Sequence, residues 1–369
     1  MKITGIRIYR KDLTPIDGLR RKTDPMAVPR PSNIVVLDTD AEISGCGEFC
    51  PAGNNYLEAH SEGTESVAKL LAPVLIGQDP RRVACIERLM DASVTGHGYA
   101  KSAIDMACWD ILGKVTGQPL WMLFGGAFSE ALRLFISVYD RPPPDLPAMI
   151  DKYRDVGYKD FQIKLGKSTW QADIERLEVV APLMKRSEVL IGDANKGWRV
   201  DEAIEVARAT RHLNYIMEEP CRTYEEILAV RRMLDRPLKL DECITDIRAA
   251  RRVVEDRSAE FVCLKISKQG GISKTKRMRD FLVDSRIPVI LDDSWGGEIT
   301  AAAVTHLAAS TPPEFMAGVS DLHNYHNETV GSPAPVTRDG HIFSPNTPGL
   351  GVEPDLESLG KPVAHYRVS

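Results

Sequence analysis

Three short apolar runs, each ending in a carboxylate, follow one another along this chain: Val189-Leu-Ile-Gly-Asp193, Tyr215-Ile-Met-Glu218 and Leu238-Lys-Leu-Asp241. The three acidic residues lie 25 and 23 residues apart, which is about the length of one strand, one helix and their loops. In a parallel β/α barrel, the carboxyl ends of successive strands meet at one mouth, where such barrels carry their catalytic groups. The spacing therefore predicts a barrel with three carboxylates at its mouth.

The same interval continues on both sides of these runs and adds two lysines. Phe161-Gln-Ile-Lys164 precedes them, Phe261-Val-Cys-Leu-Lys265 follows them, and a further run ends in Asp292-Asp293. Three carboxylates suit a hard divalent cation such as Mg²⁺, which prefers oxygen ligands. A charge at one strand end is common in any α/β protein. Five consecutive ends with a plausible chemical role indicate instead a metal site flanked by two proton-transfer groups.

Length and composition place the chain among ordinary globular proteins. Its 369 residues exceed a typical single domain, and 43% are hydrophobic and 27% charged. A net charge of −5 without a basic patch argues against a nucleic-acid partner. Seven scattered cysteines without a Cys-x-x-Cys pair argue against disulfides or zinc and favour a reducing cytoplasm. The first residues lack a signal-peptide core, and no window is apolar enough to predict a membrane span.

Elements on either side of the barrel predict a second, smaller domain. Alternating apolar residues predict strands near 3–8, 34–38 and 45–49, and helical patterns follow at 59–75, 82–92 and 99–115. Residues 14–32, rich in Pro, Arg and Lys, are expected to form a loop. We therefore expect an α+β capping domain over residues 1–125, a barrel over residues 126–325 that begins with a strand at 132–138, and a segment of residues 326–369 that returns to the capping domain.

In these motifs the chain resembles the enolase superfamily, in its muconate-lactonizing/mandelate-racemase branch, over essentially its whole length. The most specific segments are Ala100-Lys-Ser-Ala-Ile-Asp-Met-Ala-Cys-Trp-Asp-Ile-Leu-Gly-Lys114, Gly125-Gly126, Asp193-Ala-Asn195, Glu218-Glu-Pro220, Asp241-Glu242, and Lys265 with Gly270-Gly271. The resemblance implies a modified, TIM-like (β/α)7β barrel and a Mg²⁺-dependent enzyme. It also implies the metal ligands Asp193, Glu218 and Asp241, the acid/base pair Lys164 and Lys265, and the supporting residues Asn195 and Glu242.

The chemistry that this resemblance implies begins with removal of a proton α to a carboxylate. Such a proton is very weakly acidic, and its loss places negative charge on oxygens that a divalent cation stabilises. A lysine acts as base at neutral pH only if nearby cation charge and desolvation lower its pKa. The branch often has Lys-x-Lys at the second strand, whereas this chain has Gln162-Ile-Lys164. The missing positive charge makes the pocket less hostile to a cationic substrate.

A second set of residues narrows the expected substrate. Asp292-Asp293-Ser-Trp-Gly-Gly297 and Tyr56 resemble a subgroup that acts on proline betaines and hydroxyprolines. Asp292, Asp293, Trp295 and Tyr56 are therefore expected to hold a ring ammonium by ion pairing and cation–π contact, although Trp295 alternatively packs before the Gly-Gly turn. The betaine epimerases carry a tryptophan on the eighth strand where this chain has Ser320, and a smaller polar wall suits a secondary ammonium.

These resemblances predict Mg²⁺-dependent dehydration of cis-3-hydroxy-L-proline to a cyclic imine, 1-pyrroline-2-carboxylate, with some 2-epimerase side activity. The hydroxyl and the α-hydrogen lie on opposite ring faces, so we expect Lys164 as base and Lys265 as acid. The main alternative is a 2-epimerase of proline betaine or 4-hydroxyproline betaine. Further alternatives are a Schiff-base lyase with Lys265 as nucleophile, a non-catalytic relative, an acyl-amino-acid racemase and a sugar-acid dehydratase. We expect a small-molecule substrate, a homo-oligomer, and neither a membrane nor a nucleic-acid partner.

Overall fold

The chain begins with an antiparallel sheet, as the alternating pattern predicts. A computed structural model of the protein describes residues 1–16, 28–53, 56–139 and 141–367. The sheet contains β1 (Ile3–Leu13), β2 (Arg30–Thr39) and β3 (Gly45–Phe49), with β2 in the middle. The expected loop at 14–32 lies mostly outside the described residues, and β2 begins earlier than predicted. The helices that follow are α1 (Ser61–Leu75), α2 (Val83–Ser93), α3 (Gly98–Thr116) and α4 (Leu120–Leu123).

Helix α3, which carries the longest family segment, packs directly on β3 and on the barrel. A Cβ atom at Gly47 would lie 2.0 Å from the carbonyl oxygen of Ala103, so only glycine permits this approach. On the other side of α3, the buried carboxylate of Asp105 accepts hydrogen bonds from the Ser273 amide (3.0 Å) and hydroxyl (2.6 Å). The segment is therefore structural and fixes the capping domain to the barrel.

Eight parallel strands form the barrel predicted from the repeated interval, and each pairs with the next in chain order. A bridge between Leu134 and Val319 joins the last strand to the first and closes the sheet. After the short strand β4 (Ala131–Arg133), the barrel strands are β5 (Phe135–Val138), β6 (Asp160–Lys164), β7 (Val189–Asp193), β8 (Ile216–Glu218), β9 (Leu238–Leu240), β10 (Phe261–Lys265), β11 (Val289–Asp292) and β12 (Met316–Val319).

Helices connect successive strands of the barrel, and the (β/α)7β class is confirmed. Within the described residues, the first α-helix after β12 is the short α13 (Leu356–Leu359). Between the strands lie α5 (Leu146–Asp155), α6 (Trp170–Val180), α7 (Val200–Ala209), α8 (Tyr224–Arg231), α9 (Ile247–Asp256), α10 (Ile266–Gln269) with α11 (Ile272–Asp284), and α12 (Glu298–Ala309).

The carboxyl-terminal segment contributes strands to both parts of the molecule: β13 (Gly331–Ser332), β14 (Thr337–Arg338), β15 (His341–Phe343), β16 (Glu353–Pro354) and β17 (Ala364–Arg367). Strand β15 pairs with β4, whereas β17 pairs antiparallel with β1 at the edge of the first sheet. The strand predicted at 132–138 is therefore two strands. Its first half joins the tail, because the Leu134 amide bonds to the carbonyl of Gly340 and the chain turns there into the barrel.

Two further features of the structure concern the cysteines and the apolar character of the helices. All seven cysteines are free thiols. Among the helices of the described residues, none combines the length and apolar character that crossing a bilayer requires.

Candidate active site

The strand-end charges predicted from the sequence lie at one mouth of the barrel. Lys164 is in register with Asp193 on the neighbouring strand, and Asp193 is in register with Glu218. Asp241 follows the end of β9, and Lys265 ends β10 in register with Asp292. The three carboxylates are buried, with at most 2% of each residue exposed. Parallel strands with a common direction bring these side chains together, as the interval predicts.

Lys164 forms the first ion pair of the mouth. Its Nζ lies 2.5 Å from Oδ2 of Asp193, and Oδ1 of Asp193 accepts the Asn195 amide at 2.9 Å. Burial alone would lower the pKa of Lys164, but Asp193 and Glu218 outweigh it and the pKa is raised. This direction is opposite to the lowered pKa that a base requires, because the two carboxylates here act on the lysine without a cation to offset their charge. The Asn195 side chain donates to Oε1 of Glu242 at 3.1 Å, so the two predicted supporting residues contact each other.

Glu218, in the middle of the row, contacts two side chains from inside the barrel. Gln162 Nε2 donates to Oε2 at 2.7 Å, and Lys239 Nζ lies 3.0 Å from Oε1. Burial, and next the charge of Asp193, raises the pKa of Glu218 to about 7. The sequence analysis did not identify Lys239 as a residue of the site. Its signal was there, because a charge between two leucines of a short barrel strand points away from the helix layer and into the barrel.

Lys265 lies in a more crowded group than Lys164. Its Nζ is 2.5 Å from Oδ2 of Asp241 and 3.9 Å from Oδ2 of Asp292, and it also contacts the Tyr56 hydroxyl. Lys268, which sequence reasoning did not single out, lies 2.8 Å from the other oxygen of Asp241. Burial would raise the pKa of Asp241, but Lys265 and then Lys268 reverse this, so the pKa is lowered.

Glu219 holds the backbone that carries Asp241. It has a positive φ of 37°, and its carboxylate accepts the amides of Asp241 (2.8 Å) and Cys243 (2.7 Å). A non-glycine residue with a positive φ has a strained backbone, which the surrounding structure must hold in place. The Glu218-Glu-Pro220 motif was noted only as a family segment, so the positioning role of Glu219 was not predicted.

The residues expected to bind substrate separate into two groups. Tyr56, Asp292 and Ser320 lie beside Lys265: the Tyr56 hydroxyl donates to Oδ2 of Asp241 at 3.1 Å, and the Ser320 hydroxyl donates to Asp292. These three residues share the mouth with the lysine, and their substrate-binding role stays a prediction.

Asp293 and Trp295 make different contacts. Asp293 accepts the amides of Ser267 (2.9 Å) and Ser294 (2.6 Å), and it also accepts the Ser267 hydroxyl. Trp295 is 1% exposed, with the Arg30 guanidinium 4.3 Å from its ring centroid. These contacts favour the alternative in which Trp295 packs before the Gly-Gly turn, and they give Asp293 a role in shaping the loop after β11.

The donor chemistry of the mouth suits a hard cation. In the described part of the chain, no three His, Cys, Asp or Glu side chains converge closely enough to hold a metal ion as they stand. The reason is visible in the contacts, since each of Asp193, Glu218 and Asp241 is ion-paired with a lysine. In the described part of the chain, Oε1 of Glu218 is buried and accepts no hydrogen bond of good geometry, although Lys239 lies 3.0 Å away. Three adjacent carboxylates supply the oxygen ligands that Mg²⁺ prefers, and they fit this ion once they turn from the lysines.

Comparison with known proteins gives family matches over most of the chain. The family model described as mandelate racemase/muconate lactonizing enzyme, N-terminal domain, matches residues 26–125, and that described as enolase C-terminal domain-like matches residues 145–359. A curated relative, the cis-3-hydroxy-L-proline dehydratase of Roseibium aggregatum, is 39% identical over 99% of this chain and 100% of its own.

Solved structures agree with these matches. A mandelate racemase/muconate lactonizing enzyme from Roseovarius nubinhibens ISM is 51% identical with a TM-score of 0.94, covering 100% of this chain and 99% of its own. A member of the enolase superfamily from Roseovarius nubinhibens ISM, complexed with magnesium, is 33% identical with a TM-score of 0.94, covering 100% of both chains.

Proposed function

Because this chain belongs to the mandelate racemase/muconate lactonizing enzyme family of the enolase superfamily, and is therefore an enzyme, we propose that it dehydrates cis-3-hydroxy-L-proline to 1-pyrroline-2-carboxylate. The observation that carries the proposal is the pair of lysines at the two ends of the carboxylate row, each within 2.5 Å of a different carboxylate. The 39% identity to a dehydratase of this substrate supports the choice of reaction.

We propose that Asp193, Glu218 and Asp241 hold one Mg²⁺, as enzymes of this superfamily use Mg²⁺ with a Lys or His base. When bound, the cation stabilises negative charge on the substrate carboxylate as the α-proton leaves. The structure related to this one that contains magnesium supports the same choice of metal. Asn195 and Glu242 are proposed to keep the ligands in place, since Asn195 contacts both Asp193 and Glu242.

In the proposed reaction, Lys164 removes the α-proton and Lys265 protonates the departing hydroxyl. The C–H electron pair forms the ring double bond, the C–O bond breaks, and the oxygen leaves as water with the proton of Lys265. The enamine product then tautomerises to the cyclic imine. Opposite roles for the two lysines suit the cis isomer, because its α-hydrogen and hydroxyl lie on opposite faces of the ring.

The ring nitrogen is proposed to face Asp292 and Ser320. Asp292 lies beside Lys265 and accepts the Ser320 hydroxyl, so a carboxylate and a small polar side chain form this wall. A secondary ammonium has two N–H donors that such a wall satisfies, whereas a dimethylated nitrogen has none to offer. Tyr56, which reaches Lys265 and Asp241 from the capping domain, is proposed to close the pocket over the ring.

The test is a small panel of proline derivatives incubated with purified protein and Mg²⁺. In deuterium oxide, we expect cis-3-hydroxy-L-proline to lose water and form the imine, and proline betaine to show little exchange at its α-carbon. Protein treated with EDTA serves as the matched control. Imine formation that persists at the full rate in EDTA, or an absence of imine with every hydroxyproline isomer, contradicts the proposal.

A second candidate is 2-epimerisation of proline betaine or 4-hydroxyproline betaine, because two lysines on opposite faces also permit proton exchange without elimination. Deuterium incorporation with a betaine, and no loss of water from a free hydroxyproline, would favour it. We also propose a homo-oligomer working in a reducing cytoplasm, where the free cysteines stay thiols. Light scattering of the purified protein tests the oligomeric state.

A further inference from the structure

Lys239 is a positive charge inside the barrel that the proposed reaction does not use. It is the middle residue of β9, it is 1% exposed, and its nearest charged contact is Oε1 of Glu218 at 3.0 Å. The ring of Phe135 faces it, with the centroid 5.4 Å from Nζ. Within the described residues, its ammonium makes no hydrogen bond of good geometry. One carboxylate therefore balances a fully buried cation.

The other oxygen of Glu218 accepts a hydrogen bond from a neutral side chain. Gln162 donates to Oε2 of Glu218 at 2.7 Å, and its own carbonyl oxygen accepts the Ser137 hydroxyl at 2.6 Å, which fixes the direction of the amide. One oxygen of Glu218 therefore contacts a neutral donor, Gln162 on β6, and the other contacts a cation, Lys239 on β9.

We propose that Lys239 is a resident counter-cation of the metal site, and that its charge sets how tightly the site binds a divalent cation. This inference rests on the proposed role of Glu218 as a metal ligand. An ammonium 3.0 Å from a ligand oxygen repels a second cation at that oxygen, and little water lies between them to screen the repulsion. The same ammonium stabilises the carboxylate row when no metal is bound, because it is paired with Glu218.

Removing the charge should have opposite effects on the two forms of the protein. Without metal, Lys239→Met leaves a buried carboxylate unpaired, which is destabilising. With metal, the dication meets no competing charge. We therefore expect Lys239→Met to bind Mg²⁺ about tenfold more tightly than wild type, a conservative figure for two charges a few ångströms apart in a site with little water. Its melting temperature should be lower in EDTA and recover with Mg²⁺.

The experiment is calorimetric titration of EDTA-treated protein with MgCl₂, together with melting curves with and without Mg²⁺. Lys239→Gln provides a second neutral variant that keeps a donor for Glu218. Lys101→Met is the matched control: Lys101 is as buried (2% exposed) and pairs with Asp91 at 2.8 Å, but it lies on α3 of the capping domain. That variant should melt earlier under both conditions and keep the wild-type affinity for Mg²⁺.

The outcomes separate this inference from the proposed function. If wild type does not bind Mg²⁺, the proposed metal site is wrong. If wild type binds Mg²⁺ and both Lys239 variants bind it equally or more weakly, Lys239 is not a competing cation and the inference fails. Variants that melt earlier by the same amount with and without Mg²⁺, or that do not fold under either condition, also overturn it. A variant that folds only with Mg²⁺ supports it, because the metal then replaces the lysine.

Discussion

The two ends of the carboxylate row differ although each carries a lysine. Among the described residues, Lys164 forms an ion pair with Asp193, and 17% of its side chain is exposed. Lys265 is 7% exposed and contacts Asp241, Asp292 and Tyr56. An epimerase needs two lysines at opposite faces of the α-carbon, one to remove its proton and the other to deliver a proton, whereas a dehydratase needs a base for the α-proton and an acid for the departing hydroxyl. The asymmetry favours the dehydratase.

The two ends are also anchored differently. Beyond Lys164, the Gly166 amide donates to Asp173 at 2.9 Å, so the support comes from the barrel itself. Beyond Lys265, the chain runs through α10 to Ser273, which is held by Asp105 of α3. The Lys265 end is thus attached to the capping domain, which also supplies Tyr56.

Loss of a proposed metal ligand should remove the function of both ends at once. We expect Asp193→Ala, Glu218→Ala or Asp241→Ala to lower both α-proton exchange and dehydration at least about a thousandfold, since cation stabilisation of developing charge supplies several kcal/mol. Circular dichroism should show a retained fold, and calorimetry should show weakened Mg²⁺ binding. Full turnover by any of these variants in EDTA would exclude the carboxylate row from the mechanism.

Replacing each lysine in turn should show different functions for the two ends of the carboxylate row. We expect Lys164→Ala to lose exchange of the α-proton and dehydration together, by at least about a hundredfold, because the base is gone. Lys265→Ala should retain exchange in deuterium oxide and lose dehydration by a similar factor. Proton NMR of the α-position and an imine assay measure the two rates. The reverse pattern would exchange the roles of the lysines.

Replacing Ser320 in the pocket wall beside Lys265 should alter the choice between substrates more than the overall rate of turnover. A tryptophan in place of Ser320 fills space at the ring nitrogen and offers a π face, and cation–π contact with a desolvated cation is worth up to about 2 kcal/mol. We expect Ser320→Trp to shift the ratio of kcat/KM about tenfold from the free amino acid towards the dimethyl betaine. Ser320→Ala is the control for loss of the hydroxyl. An unchanged ratio would mean that this wall does not select the substrate.

The smallest expected effect concerns the attachment of the Lys265 end to the capping domain. Burial raises the pKa of Asp105 to about 7, against the hydrogen bonds from Ser273, and Glu87 and Arg277 are the charged groups nearby. The folded protein therefore holds a proton there between pH about 4 and about 7 that the unfolded chain has lost. Stability from this group is present at the acidic end of that window and is lost as pH rises through it.

Asp105→Asn should accordingly flatten this part of the pH dependence, by a few degrees in melting temperature between pH 5 and pH 8. The exposed residue Asp201 offers a matched control, since Asp201→Asn removes a carboxylate that is not buried. Equal pH slopes in wild type and Asp105→Asn would show that Asp105 is ionised throughout. Rates of exchange and dehydration in the same variant should fall unequally, with dehydration affected more.

The sequence predicted the barrel and its mouth well because both depend on a regular interval. Asp193, Glu218 and Asp241 each end an apolar run, and parallel strands bring such ends together whatever the details of packing. The strand at 132–138 was predicted less well, because its division at Leu134 depends on the tail residue Gly340, far away in the chain. Local patterns carry no information about a partner strand that arrives two hundred residues later.

The contacts within the site were less predictable than the positions. Lys268 lies in a sequence that equally fits an exposed lysine. Strand alternation indicates that Lys239 points into the barrel, but only the closed barrel shows that Lys239 contacts Glu218 and Lys268 contacts Asp241. Asp293 and Trp295 were placed with the substrate-binding residues on resemblance alone, whereas hydrogen bonds to Ser267 and stacking on Arg30 depend on how the loop after β11 folds back. Side-chain direction in a loop is not encoded by strand periodicity.

The pairing of β17 with β1 has a consequence for synthesis on the ribosome. The first sheet is begun with residues that emerge early, but its edge strand, Ala364–Arg367, follows every other described element. Domains generally fold as units during translation, amino-terminal first, and here the unit that emerges first stays incomplete until the barrel has been made. We expect nascent chains stalled before Ala364 to show a protease-resistant barrel and a protease-sensitive first sheet, and equal resistance of both would contradict this order.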